Sequence, residues 1–571
     1  LRDAHIGIAN TSGAQFHRVF GVFGGSAMAA MAATAATAAT AVLHNTRRGW
    51  LGLFAAAGVL CTPLTFGQNA ASRADIENTM KRATQFMVEK VSYRGGYLWN
   101  YLPDMSRRWG ELEARETMIW LQPPGTSSMG HVFLDAYHAT GDEYYYKAAE
   151  QVASALIWGQ HPSGGWNYVV DFAGDRSLRD WYATVGKNAW RLEEFQHYYG
   201  NATFDDQSST DAAIFLLRLY LEKLDSRYKA PVDKAIGFVL NSQYPIGGWP
   251  QRYPLSQEFS KKGLADYSSY LTFNDDVVWE NISFLILCYQ VLGEQRLLDP
   301  INRAMNFVIV SQQGQPSPGW ALQYTLDLKP AAARTYEPLA LATHTSASNI
   351  DHLLTFYEYT GDTRYLARVG EALDWLDKVK LAKPDAGGRT HPTYIEPGTN
   401  RAITVHRRGS NVVNGEYYHD YDPARPIGHY GQTRRIDTAG MRKRYEALLK
   451  ADAKALVRKS PLTPGAGAIE LPRFFAERYA SPVGKDLGAQ VATSLKSLNE
   501  TGYWPAMLPQ NSHPYKGDGG KEVAPGDFGT THVGDETDTS PFNDGKTPSI
   551  STAEYLKNMN ALIQSLAKEK R

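Results

Sequence analysis

The chain has 571 residues, 43% hydrophobic and 21% charged, which excludes a mainly disordered or collagen-like polymer and requires a large domain with its own core. Its 59 Lys and Arg balance 59 Asp and Glu, so no global field recruits nucleic acid or an anionic membrane, and a polyanionic partner needs a local cluster. Two cysteines, Cys61 and Cys288, exclude a disulfide framework and a Cys-based metal site.

Residues 1–46 are Ala- and Thr-rich, without an amphipathic period, and are set apart from the fold. Arg47-Arg48, a twelve-residue apolar run from Gly49 to Leu60 and small residues around Thr65-Phe66-Gly67 follow in the order of an export signal. The run is too short to span a bilayer. Cleavage near Gly67 would leave one domain, 72–571, as a secreted or periplasmic monomer without stable membrane insertion.

From residue 72 the sequence cycles through amphipathic stretches that end in Gly- and Trp-bearing loops. Helices are expected over 143–158, 230–243 and 297–312, followed by Gly164-Gly165-Trp166, Gly247-Gly248-Trp249 and Pro318-Gly319-Trp320. Thr501-Gly502-Tyr503-Trp504 reads as a degenerate fourth loop. The first three tryptophans lie 83 and 71 residues apart, room for about two further helices per cycle. Further helices are expected over 210–224, 276–292, 346–360 and 552–568. The fold class that follows is all-α, an (α/α) toroid. Residues 384–440, rich in Gly, Pro, Tyr and Arg with short β-like runs such as 402–406, are expected as an irregular loop or small β insert across one mouth. A second irregular excursion is expected at 509–548.

Four segments crowd charge beside tight turns. Phe204-Asp205-Asp206 and Phe273-Asn274-Asp275-Asp276 each precede a helix. One such pair alone reads as an N-cap, but two at equivalent places in a helical repeat favour a hard-cation oxygen site. Lys329 and Arg334 flank a loop just after Gly319-Trp320, and Arg401 to Arg407 form a basic strip. Between 401 and 444 stand nine Lys or Arg against four Asp or Glu, a local positive excess in a neutral protein.

With Tyr244-Pro245-Ile246-Gly247-Gly248-Trp249-Pro250-Gln251-Arg252-Tyr253-Pro254, Phe273-Asn274-Asp275-Asp276, Gly319-Trp320-Ala321-Leu322-Gln323-Tyr324 and Arg334-Thr335-Tyr336-Glu337-Pro338, the chain resembles the pectate lyases of polysaccharide lyase family ten over 72–408. The resemblance implies an (α/α) toroid that cleaves polygalacturonate or another acidic polyuronate by calcium-dependent β-elimination. It further implies Arg334 as catalytic base, Ca2+ at Asp206, Asp275 and Asp276, and substrate contacts from Asp205, Trp249, Arg252, Lys329, Arg401 and Arg407. Removing a C5 proton requires that the neighbouring carboxylate be neutralised by cations, and these residue types supply them. An arginine base is chemically demanding, since a guanidinium stays protonated unless nearby positive charge depresses it, and Lys329 is the expected neighbour. The chain departs from the family at Thr390-His391-Pro392-Thr393-Tyr394, where an arginine is expected shortly before the Thr-Asn-Arg turn. Two other classes fit the same toroid: a glycoside hydrolase using Asp205 with Asp275 or Glu280, and a non-catalytic carbohydrate-binding protein using Trp and Tyr loops. The Gln-x-x-x-Gly-x-Trp spacing also occurs in terpene cyclases, but the Asp-rich motifs of those enzymes are missing.

Overall fold

A computed structural model describes residues 71–186, 193–256, 265–408, 416–424, 430–463, 486–509 and 545–569. The expected export signal, Cys61 and most of the 509–548 excursion lie outside them.

Helical hairpins build the molecule. Helix α1 spans Arg73–Phe86, and the hairpins are α2 (Thr126–Thr140) with α3 (Glu143–Gly159), α4 (Ser208–Lys223) with α5 (Ser226–Ser242), α6 (Val277–Leu292) with α7 (Leu298–Val310), and α8 (Thr343–Thr360) with α9 (Val369–Lys378). Helices α10 (Thr438–Leu448), α11 (Leu487–Ser497) and α12 (Thr552–Glu569) follow. The hairpin turns share one device, a left-handed residue (Gly141, Leu224, Gly293 or Gly361) at the end of the first helix. In two of them the next residue, Asp142 or Asp225, caps the following helix through its side chain, and in a third Asp362 caps a short 3-10 turn, Thr363–Tyr365, that precedes α9. Asp225 starts α5 at Ser226, about a turn before Ala230, where the expected helix began, and Pro231 is accommodated inside it.

Helix α4 packs on α2, α5 and α6; α12 packs on α1, α2 and α11, so the C-terminal helix joins the N-terminal part of the (α/α) toroid. No helix among the described residues is long and apolar enough to cross a membrane. Cys288 is a buried free thiol of α6.

The glycine and tryptophan loops lock neighbouring hairpins. A Cβ on Gly164 would lie 2.0 Å from the carbonyl oxygen of Lys234, and one on Gly247 2.1 Å from that of Arg303, so only glycine lets each loop lie on the next outer helix. Each tryptophan indole N–H donates back to the helix before it: Trp166 to Leu156 (2.8 Å), Trp249 to Val239 (2.8 Å), Trp320 to Val308 (2.9 Å) and Trp504 to Ser494 (2.8 Å). The fourth loop is thus a true member of the repeat. All four rings are buried.

The expected β insert is present. Strands β1 (Leu341–Ala342), β3 (Tyr394–Ile395), β4 (Ala402–Arg408) and β5 (Glu416–Asp420) form one sheet in that order, and β2 (His391–Pro392) pairs antiparallel with β6 (Thr433–Arg434). Together they cover one mouth beside the N-terminus of α8.

Candidate active site

Two turns on this mouth have the same backbone. Each leaves a short strand with a Thr whose Oγ1 accepts an amide two residues on, from Asp205 (3.1 Å) in the first turn and from Asn274 (3.1 Å) in the second. Each then places a Phe on the outer helix of its own hairpin, Phe204 on Phe238 and Phe273 on Phe307. Two consecutive left-handed residues follow, Asp206 and Gln207 (φ 46° and 62°) and Asp275 and Asp276 (φ 52° and 55°), before α4 and α6 begin. Neither helix receives a side-chain cap, so these carboxylates are not serving as N-caps. The equivalence runs Asp205 with Asn274 and Asp206 with Asp275, one residue off the pairing of adjacent acids that the sequence suggests.

The turns bring Asp205, Asp206 and Asp275 together, with one carboxylate oxygen of each within 4.8 Å of the others. Asp276, expected as a ligand, stands outside this group; burial and then Glu280 push its carboxyl up to about 7. Asp205 was expected to touch substrate, but it is buried and committed to Arg334, whose Nη2 lies 2.5 Å from its Oδ2. The Tyr168 hydroxyl donates to the same oxygen.

Arg334 is the hub. Its side chain, 2% exposed, also reaches Glu337 (3.0 Å), Glu194 (3.2 Å) and Asp275 (3.9 Å). Burial alone would lower its pKa, but Tyr336, Asp205, Tyr267 and Glu337 together drive it well above its ordinary value. The expected depression by Lys329 does not occur: that side chain is 78% exposed and pairs with Asp327 at 2.6 Å.

Four carboxylates against one guanidinium leave an excess of buried acid, and the acids show it. Burial would raise Asp205, but Arg334, Asp275 and Tyr168 bring it down to about 2. Burial pushes Glu194 up to about 7 against the pull of Arg334. Water reaches Asp206, yet the walls of the mouth and then Asp205 push it up to about 7. Burial, then Asp205 and Asp206, raise Asp275 well above the carboxylate range. Oδ1 of Asp205 is buried without a hydrogen-bond partner. Oxygen donors at this spacing, with surplus negative charge and no His or Cys among them, fit a hard divalent cation.

Several site groups carry no sequence signal. Gln122, from the loop before α2, donates to Asp206 (2.7 Å). Tyr430 donates to Glu337 (3.0 Å) and accepts from Asn274 (3.0 Å). Glu194 and Tyr168 come from segments that no motif marked.

The remaining expected contacts divide. Arg252 is buried beside the cluster, over the rings of Tyr168 and Tyr199 (4.9 Å each), donating to Asn167 (3.2 Å) and Asn201 (3.4 Å). Trp249 has no surface for a sugar ring; it is fully buried and holds the loop described above. Arg401 is exposed and lies over Tyr421 (3.5 Å), whose hydroxyl donates to Glu396 (2.6 Å). Arg407 lies on β4 opposite Tyr417, with its side chain outside the described residues.

Comparison with known proteins agrees with this geometry. The model of the pectic acid lyase family matches residues 171–427, the stretch that holds both turns and Arg334. No curated protein matches significantly. Among solved structures, a family 10 polysaccharide lyase from Cellvibrio cellulosa aligns at 20% identity over 48% of this chain and 84% of its own, with a TM-score of 0.34. A mutant of such a lyase from the same organism, in complex with trigalacturonic acid, aligns at 16% identity over 56% and 98% (TM-score 0.37). A family 76 glycoside hydrolase from Bacteroides thetaiotaomicron aligns at 10% identity over 87% and 78% (TM-score 0.38). The family match covers residues 171–427, less than half of the chain, and supports a pectate lyase-like enzyme.

Proposed function

We propose that the protein is an extracytoplasmic, calcium-dependent lyase that cleaves an acidic polyuronate, polygalacturonate first among candidates, by β-elimination between C4 and C5. The observation that carries this reading is the gathering of Asp205, Asp206 and Asp275 from two turns against Arg334, with none of the three spent on a helix cap. Asp206 and Asp275, with Asp205, would hold the cation. When bound, it supplies charge neutralisation to a uronate carboxylate and so acidifies the adjacent C5 proton.

The chain's own groups do the rest. Gln122 orients Asp206, while Asn274 orients Asp275 by donating to its Oδ2 at 2.8 Å. Arg252, buried without a carboxylate partner among the described residues, is suited to receive a neighbouring uronate; Arg401, Arg407 and Lys329 are proposed for subsites further out. Arg334 takes the C5 proton in this reading. Its carboxylate partners keep it protonated, so the role requires that the charge of Asp205 and Asp275 be engaged elsewhere during turnover.

A hydrolase would pair Asp205, held ionised beside Arg334, with a raised Asp275 as general acid, and the product formed separates it from the lyase. A purely binding protein would want exposed tryptophans in its repeat loops, and these are buried. The test is ultraviolet absorbance during incubation with polygalacturonate, with calcium and with chelator. An absorbance rise that needs calcium supports the reading, since only elimination leaves an unsaturated end. Reducing ends released without that absorbance would indicate hydrolysis.

A further inference from the structure

Arg434 differs from the arginine at the centre of the site. Arg334 has four carboxylates within 4 Å, whereas Arg434 has no ion pair among the described residues. It is partly buried and its Nε is enclosed without a hydrogen-bond partner. The groups acting on its charge are Tyr394, Tyr430 and Arg389, with no acid among them, and burial is the main influence, lowering its pKa. Leaving a cation enclosed without a counter-ion costs stability, so such a group is expected where a ligand brings the opposite charge.

Its position points the same way. Arg434 lies opposite His391 in the β2–β6 pair. His391 is fully buried, with its ring nitrogens turned to the Leu376 carbonyl (3.1 Å) and the Thr390 hydroxyl (2.8 Å), so it offers the mouth no charge. Tyr430, one of the rings within reach of Arg434, binds Glu337 and Asn274 directly. Tyr394, the other, feels Glu337, Arg434, Arg334 and Asp275 together. Arg434 is therefore one tyrosine removed from the Arg334 cluster.

Arg434 also acts on His344, whose Nδ1 is buried and unpartnered in the first turn of α8. That turn has no side-chain cap, since Ala342 occupies the N-cap position. The β2–β6 pair borders this turn, since the Thr393 carbonyl accepts the Thr343 amide (3.1 Å), and Arg434 and His344 each keep a nitrogen buried without a partner there.

We propose that Arg434, on a strand beyond the family-matched segment, is a specificity-determining residue that binds a uronate carboxylate next to the reacting sugar. It rests on the polyuronate reading above. The ligand class is an acidic sugar carboxylate, held by the guanidinium.

The test uses the full chain with Arg434→Ala and Arg434→Lys, and reads KM, kcat and melting temperature. On polygalacturonate Arg434→Ala should raise KM about tenfold or more while kcat moves far less, and Arg434→Lys should recover part of the loss. The melting temperature of the Ala variant should stay near that of wild type, since Arg434 has no ion pair to lose among the described residues. An unchanged KM on polygalacturonate overturns the proposal, as does an equal fall in kcat with a lowered melting temperature, which marks general damage to the mouth. If wild type makes no unsaturated product, the lyase reading falls and calorimetric binding of a galacturonate trisaccharide decides Arg434 alone. Affinity lost in Arg434→Ala and partly restored in Arg434→Lys sustains it, while equal affinity in wild type and variants, or no binding by wild type, overturns it.

Discussion

The turns at 203–208 and 272–277 share their backbone and differ in one decisive side chain. Asp205 in the first is a buried carboxylate bonded to Arg334; Asn274 in the second is an amide that reaches the same arginine indirectly, donating to Glu337 (3.1 Å), Tyr430 (3.0 Å) and Asp275 (2.8 Å). A second acid at position 274 would have set another like charge against Asp275 and Glu337, both already raised. The repeat thus supplies two equivalent acids, Asp206 and Asp275, for a shared cation, and uses the preceding position to hold Arg334 from one side only. Charge is duplicated where a ligand neutralises it, and kept single where the protein must.

The largest effect is expected at the equivalent pair. Asp206→Ala and Asp275→Ala should each remove calcium-stimulated lyase activity while melting temperature stays near that of wild type, because neither carboxylate caps a helix. If only one variant loses activity, the two turns do not share a cation.

Arg334→Lys keeps the charge but not the planar fork, and should lower turnover by about a hundredfold or more with little change in KM. Turnover near wild type would remove Arg334 from proton transfer. A melting temperature low enough to account for the lost activity would return it to an ion-pairing role.

Asp205→Asn makes the first turn resemble the second. It should cost about 1–3 kcal/mol, less than for an isolated buried pair because Glu194 and Glu337 stay with Arg334. The sign with pH is fixed by the depressed carboxyl: its stabilisation is present above the ordinary aspartate range and lost as pH falls through it towards about 2. The gap between variant and wild type should therefore close on acidification. A gap that widens would mean Asp205 is not the stabilising partner.

The smallest effect on activity concerns the scaffold. The Trp249 carbonyl accepts the amide of Thr272 (3.1 Å) as that of Trp166 accepts Thr203 (2.8 Å), so each repeat loop props one turn. Trp249→Phe removes the indole bond to Val239 and part of a fully buried ring, and should lower stability by about 1–3 kcal/mol with KM unchanged. A raised KM with unaltered stability would restore Trp249 as a sugar contact.

Helix periodicity and the tryptophan spacing made the toroid legible, because each repeat buries the same ring against the same backbone carbonyl. The observed helices begin and end within a few residues of the expected ones. The two acidic turns were legible as a site, but their register was not. Adjacent acids look like a pair in sequence, while the left-handed backbone turns Asp276 away and brings Asp205 in. Glu194, Gln122 and Tyr430 were hidden because each converges on the mouth from a distant loop without a motif of its own. The chemistry of Arg334 was misjudged for a similar reason: a neighbour five residues away in sequence, Lys329, points to solvent, and the groups that set its charge are Tyr336, Asp205, Tyr267 and Glu337.

The central claim is that one cation is shared between the two turns, and calorimetric titration of calcium into the chelator-treated protein tests it most directly. Wild type should bind one calcium at this site, and Asp206→Asn and Asp275→Asn should each abolish that binding, since both contribute an oxygen to the same 4.8 Å cluster. Wild type without a calcium isotherm, or either variant binding as wild type does, would contradict it.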